Sequence, residues 1–135
     1  MNDSASTSQL RHIIGSQLSA DTAQTAGMTR VEAISGRTAG SVGLWMGRTH
    51  LAPGLVSADH HHGGSETAIY VVSGHPVFVV SGAAGESRIE TSPGDFVFVP
   101  ANVAHREENP SPDIEAVVVI ARSTQEAVVV NLASL

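Results

Sequence analysis

The 135-residue sequence contains no cysteine. Disulfides, thiolate chemistry, zinc fingers and iron–sulfur clusters are therefore excluded. It also contains no lysine, and its seven basic residues are all arginines scattered along a chain of net charge −6. No basic stripe exists to meet nucleic acid or an anionic membrane. Met1 to His12 lacks the charged start and apolar stretch of a signal peptide. No run approaches the ~20 apolar residues that a membrane-spanning helix needs. These absences predict a cytoplasmic domain that binds neither nucleic acid nor membrane.

What is present points to strands. Aromatic side chains are scarce, but 41 % of residues are apolar and 13 are glycine, a balance that suits a β protein with many turns. The length fits one domain, large enough to bury roughly two thirds of its unfolded surface. Residues 1–28 read as an N-terminal arm, with a short helix or an irregular segment equally compatible with 9–18. Residues 29–135 read as the folded domain. Within it, β-prone runs fall at 31–34, 41–51, 67–73, 76–80, 88–91, 95–99, 103–107, 114–121 and 127–132, and a histidine-rich stretch lies at 60–62. About ten short strands divided by Gly, Pro and Asn turns predict an all-β sandwich or barrel. Phe96 and Phe98 are expected in the core, and Trp45 in the core or at a subunit interface.

The chemistry concentrates in Asp59-His60-His61-His62-Gly63-Gly64-Ser65-Glu66. On a strand, His60 and His62 share one face and His61 takes the other. Two imidazoles on one face can grip a metal ion but need further ligands. His105 is the expected third and Glu66 the expected fourth.

The spacing of these residues resembles the cupin family. Its first motif runs Gly, five residues, His-x-His, three or four residues, Glu, six residues, Gly. Here Gly54 precedes His60-His61-His62, Gly63-Gly64-Ser65 and Glu66, with Gly74 beyond. The second motif runs Gly, five residues, Pro-x-Gly, two residues, His, three residues, Asn. Here it reads Gly94, Pro100-Ala101-Asn102, His105 and Asn109. Asn102 replaces a glycine, a mild change where a left-handed backbone is needed. The interval from Glu66 to Gly74 is one residue too long, so counting back from Gly74 places Thr67 at the acid position. A bulge near Gly63-Gly64 could set either residue inward.

The resemblance implies a cupin jelly-roll barrel (a double-stranded β-helix) with His60, His62, Glu66 and His105 as ligands. A divalent transition metal such as Fe, Mn, Ni, Cu or Zn suits that donor set. The expected function is a metal-dependent oxygenase acting on a small polar or phenolic chelating substrate, with Glu66 also available as a catalytic base. A non-catalytic small-molecule or metal-binding cupin and a metal-dependent isomerase are the alternatives. His50 and Arg48 could equally line the cavity or face solvent, and Tyr70 is expected in core packing, with a contact to substrate as the alternative. The apolar run 127–130, together with Trp45, suggests a covered edge and hence a homodimer.

Overall fold

The computed structural model describes residues 9–125 and 129–135. Ten strands are found among them: β1 (Met28–Ile34), β2 (Trp45–Leu51), β3 (His60–His61), β4 (Thr67–Ser73), β5 (Val77–Gly82), β6 (Gly85–Glu90), β7 (Phe96–Val99), β8 (His105–Glu108), β9 (Ala116–Arg122) and β10 (Val130–Asn131). They form two five-stranded antiparallel sheets, ordered β1-β2-β9-β4-β7 and β10-β3-β8-β5-β6. From β6 onward the chain changes sheet at every step, which is how a jelly roll closes its two faces around one interior. The expected all-β architecture is thus the observed one.

Local chemistry explains the elements. β9 reads Ala-Val-Val-Val-Ile-Ala-Arg, and its β-branched residues alternate between buried and half-buried positions. The inward set of the first sheet, Ile69, Val71, Val99, Val118 and Ile120, packs on Phe78 of the second. At about 1.5–3 kcal/mol per buried side chain, these six contribute on the order of 10 kcal/mol before chain entropy is subtracted. Gly74 turns with φ +77°, and a Cβ there would sit 2.8 Å from Ala116 Cα, so no other residue fits. Asn102 has φ +63° and is the sole non-glycine with positive φ among the described residues, the left-handed site its motif position called for.

β1 begins at Met28, one residue before the expected boundary of the arm. Residues 9–18 hold only a 3₁₀ turn, Gly15–Gln17. A one-turn helix, α1 (Gly36–Ala39), follows β1 and is capped by Ser35. On β7 the inward side chains are Val97 and Val99. Phe96 and Phe98, expected in the core, are 79 % and 60 % exposed. Both faces of that strand are apolar, so alternation alone could not choose between them. Of the run 127–132, residues 127 and 128 lie outside the described residues. No helix among the described residues is long and apolar enough to cross a membrane.

Candidate metal centre

His60 on β3 lies directly opposite His105 on β8 in the antiparallel register. His62 follows on the same face, just before the Gly63–Gly64 turn. All three side chains are buried. Ring centroids lie 4.4 Å apart for His60–His105, 5.1 Å for His60–His62 and 5.3 Å for His62–His105. One nitrogen from each ring falls within 4.8 Å of the others, close enough for one ion to bridge them. The structure therefore brings together three residues separated by up to 45 positions in sequence.

Backbone acceptors orient two of the rings. His60 Nδ1 lies 2.9 Å from the Ala58 carbonyl, and His105 Nδ1 lies 3.0 Å from the Val103 carbonyl. Each Nδ1 must carry the hydrogen to make these contacts, which leaves the Nε2 lone pairs facing the interior.

The carboxylate is not where the sequence suggested. Glu66 is exposed, while Thr67 is buried. The Gly63–Gly64 turn ends β3, and β4 restarts with its odd-numbered residues Thr67, Ile69 and Val71 inward. Glu66 shares the outer face with Ala68, Tyr70 and Val72, so it does not join the three histidines. Glu107 does reach them. It sits two residues beyond His105 on β8, is 2 % exposed, and places its carboxylate 3.4 Å from His60 Nε2 and 3.5 Å from His105 Nε2. The alternation of β8 carried this signal, since a residue two positions from an inward histidine also faces inward.

Two buried arginines complete the surroundings, and both were missed because charged residues on strands are expected to face water. Arg30 on β1 donates to His60 Nε2 at 3.4 Å and to Thr25 Oγ1 at 2.8 Å. Arg122 closes β9, where its neighbours in register are Trp45 on β2 and Thr67 on β4. Its guanidinium lies 4.5 Å from the centre of the Trp45 ring.

These charges shape one another. Burial pushes the Glu107 carboxyl up, but the His105 contact and the charges of His105, His60 and Arg30 outweigh it. Glu107 is therefore held well below the usual carboxylate range. Burial pulls His60 down despite Glu107. Burial also opposes charge on His105, yet the adjoining carboxylate prevails and raises it.

The donor set fits a metal ion. His105 Nε2 is buried with no short hydrogen bond, and Glu107 Oε1 stands 3.5 Å away, at the limit of hydrogen-bond reach. A lone pair facing a carboxylate is repulsive unless a proton or a metal ion lies between them. Three imidazoles and one carboxylate are ligands that first-row divalent ions accept. A small cavity of about 70 Å³ adjoins His105, lined by Phe78, Val97, Val99, Val103 and other apolar residues.

The remaining candidates lie away from this interior. Arg48 Nε donates to His50 Nε2 on the outer face of the first sheet, and His50 Nδ1 faces Glu115 at 3.3 Å. Tyr70 packs on Phe96 at the same face, with ring centroids 4.9 Å apart. His61 points away from the histidine cluster, and its Nδ1 accepts from the Gly63 backbone. His75 is exposed. Trp45 is fully buried, so it is a core residue and not an interface residue.

Comparison with known proteins agrees with this geometry. The cupin domain family (Cupin_2) matches residues 47–121. A stretch of 48 residues is 42 % identical to the acireductone dioxygenase of Bacillus cytotoxicus, covering 35 % of this chain and 28 % of that protein. The polyketide cyclase RemF of Streptomyces resistomycificus superposes with a TM-score of 0.74 at 16 % identity, over 92 % of this chain and 86 % of the other. An oxalate oxidase in complex with the substrate analogue glycolate gives a TM-score of 0.69 at 19 % identity, over 83 % and 58 %. The chain thus spans less than two thirds of either the dioxygenase or the oxidase. At these structural identities the likeness is one of fold.

Proposed function

The chain belongs to the cupin family, and from that premise we propose that it is a metal-dependent enzyme of the oxygenase type, acting on a small chelating substrate. His60, His62 and His105 hold a divalent transition metal, and Glu107 supplies the anionic group in place of Glu66. The observation that carries this reading is the meeting of three buried imidazoles with a buried, ionised carboxylate. Arg30 already acts on that carboxylate, so what marks the cluster is the convergence of three ring nitrogens within 4.8 Å of one another, a donor set that first-row ions take. A bound first-row ion supplies Lewis acidity and, where it is redox-active, a route for electrons to dioxygen.

The protein's own residues do the rest. The Ala58 and Val103 carbonyls fix the tautomers of His60 and His105, so their lone pairs are aimed before any ligand arrives. Glu107 keeps its negative charge at neutral pH. Phe78, Val97, Val99 and Val103 exclude water beside His105, which strengthens every polar contact there. The partial identity to a dioxygenase and the fold shared with an oxalate oxidase support the oxygenase reading. Polar and phenolic chelators remain the substrate classes in view.

The test is elemental analysis of protein purified without an affinity tag, beside His60→Ala and His105→Ala. Near-stoichiometric metal in the wild type, lost in both variants, is expected. Retention of metal by either variant would overturn the site. Substrate-dependent oxygen uptake by the metal-loaded protein then separates an oxygenase from a non-catalytic binder.

The chain is also proposed to form a homodimer and to reside in the cytoplasm. The dimer surface is the outer face of the first sheet, where Met46, Tyr70, Val72, Phe96 and Phe98 are all exposed. Such a contiguous apolar face is uncommon on a monomer. Phe98→Asp should convert a dimer to a monomer in sedimentation equilibrium, and a monomeric wild type would dismiss the interface.

A further inference from the structure

The barrel interior has more hydrogen-bond donors than it can satisfy. Among the described residues, seven buried side-chain atoms have no hydrogen-bond partner: Arg30 Nε, Arg122 Nε, Nη1 and Nη2, Thr49 Oγ1, Thr67 Oγ1, and His105 Nε2. The four arginine nitrogens can only donate, and the two hydroxyls can donate. The hydroxyls can also accept, as His105 Nε2 can through its lone pair, but His105 belongs to the candidate metal centre. The imbalance centres on Arg122, whose whole guanidinium is unsatisfied although the residue is 1 % exposed. Its contact with Trp45 is with the ring face and uses none of its N–H groups.

Charge points the same way. Glu32 is already engaged by Arg37, Ser35 and Trp45. Among the described residues that leaves Arg30 and Arg122 as buried cations against Glu107 as the remaining buried anion, a surplus of one positive charge before any metal is added. Arg122 lies close enough for both Arg30 and Glu107 to act on it electrostatically. Thr67 is its direct cross-strand neighbour. A cleft of about 220 Å³ opens at this end of the sheet, bordered by Thr67 and Arg122 together with the outer-face residues Glu66, Ala68, Phe98 and Ala121.

We propose that Arg122, with Thr67 beside it, is the anchor for the carboxylate of a small organic acid, and that this acid is the substrate class of the site. A planar fork of N–H donors meets a carboxylate through two parallel hydrogen bonds. The carboxylate would satisfy the orphaned donors and cancel the surplus charge together. A neutral phenol could accept a hydrogen bond but could not cancel the charge. The proposal narrows the substrate of the metal-dependent reading above and rests on it for catalysis, but the binding it describes is measurable separately.

The experiment is calorimetric titration of wild type, Arg122→Met, Arg122→Lys and Thr67→Val with acetate, oxalate and catechol, each with and without metal. Arg122→Met should weaken oxalate binding roughly 100-fold, because the charged donors are lost. Thr67→Val should weaken it several-fold and Arg122→Lys by an intermediate factor. Catechol binding and metal content should be unchanged in all variants. Oxalate binding to Arg122→Met within about twofold of wild type would overturn the proposal, as would failure of both carboxylates to bind wild type at about 10 mM. Wild type that takes up no metal but binds oxalate through Arg122 would refute only the metal centre. Normal metal uptake with Arg122-independent binding would refute only the anchor.

Discussion

Arg122→Met is expected to make the ligand-free protein more stable, an unusual direction for a substitution at a fully buried residue. Burial, reinforced by the charge of Arg30 and only partly offset by Glu107, lowers the Arg122 guanidinium from its usual 12.5 to about 9. At 1.36 kcal/mol for each pKa unit, the charged form pays about 5 kcal/mol to remain inside. The stacked contact with Trp45 returns roughly 2 kcal/mol, the value of a desolvated cation–π pair. A net cost of about 3 kcal/mol remains, and water entering the barrel would reduce it. Methionine has similar length, keeps contact with the Trp45 ring and leaves no unsatisfied donor. With an unfolding entropy of about 2.1 cal/mol/K per residue, a gain of ~2–3 kcal/mol raises Tm by roughly 7–10 °C. Urea and thermal unfolding of metal-free protein, followed by circular dichroism, would measure it. A variant that is equally stable or less stable would show that Arg122 has partners in the folded state, and would remove the case for a missing anion. A variant that gains stability while losing carboxylate affinity would display stability exchanged for function.

Other expectations can be checked more simply. Glu66→Ala should keep its metal in elemental analysis, because Glu66 faces solvent, and loss of metal would restore the ligand role read from the sequence. Asn102→Gly should change stability by only a few tenths of a kcal/mol, whereas Asn102→Ala should cost about 1 kcal/mol by chemical denaturation, since its backbone is left-handed. Burial opposes ionisation of Glu32, but hydrogen bonds from Arg37, Ser35 and Trp45 lower its pKa overall. Its contribution is therefore present above the unfolded value near 4.5 and fades as pH falls through the lower folded value. The stability gap between wild type and Glu32→Gln should shrink on going from pH 7 to pH 3, and a constant gap would deny the linkage.

The sequence revealed some of this and concealed the rest for identifiable reasons. The His60, His62 and His105 positions were readable because two separate spacings place them at corresponding points of the barrel, and Asn102 because backbone stereochemistry restricts its site. Glu66 was misplaced because inward parity changes at the Gly63–Gly64 turn. Before that turn His60 and His62 face in, and after it Thr67, Ile69 and Val71 do. The following run could not reveal the change, because Tyr70 and Val72 are as strand-compatible as Ile69 and Val71. Phe96 and Phe98 were misread for the same reason, since each face of β7 is hydrophobic. Arg30 and Arg122 were hidden more deeply. A charged residue ending an apolar strand reads as a solvent contact, and only the closed barrel shows that it has none.

The absence of a glutamate at position 67 links these features. Seven residues before Gly74, Thr67 stands where the cupin motif holds its acid, and in the register of β4 with β9 it faces Arg122. A glutamate there would be a cross-strand partner for the guanidinium, and a bidentate ion pair would satisfy donors that are now free. Threonine is too short and uncharged to do so. The carboxylate comes instead from Glu107 on the opposite sheet, where it meets His60 and His105. One relocation therefore has two effects. It keeps a negative charge beside the histidines, and it leaves a buried arginine on the first sheet with no counterion paired to it among the described residues. Supplying that counterion falls to the ligand, so recognition of an anion and completion of the barrel's charge balance become the same event.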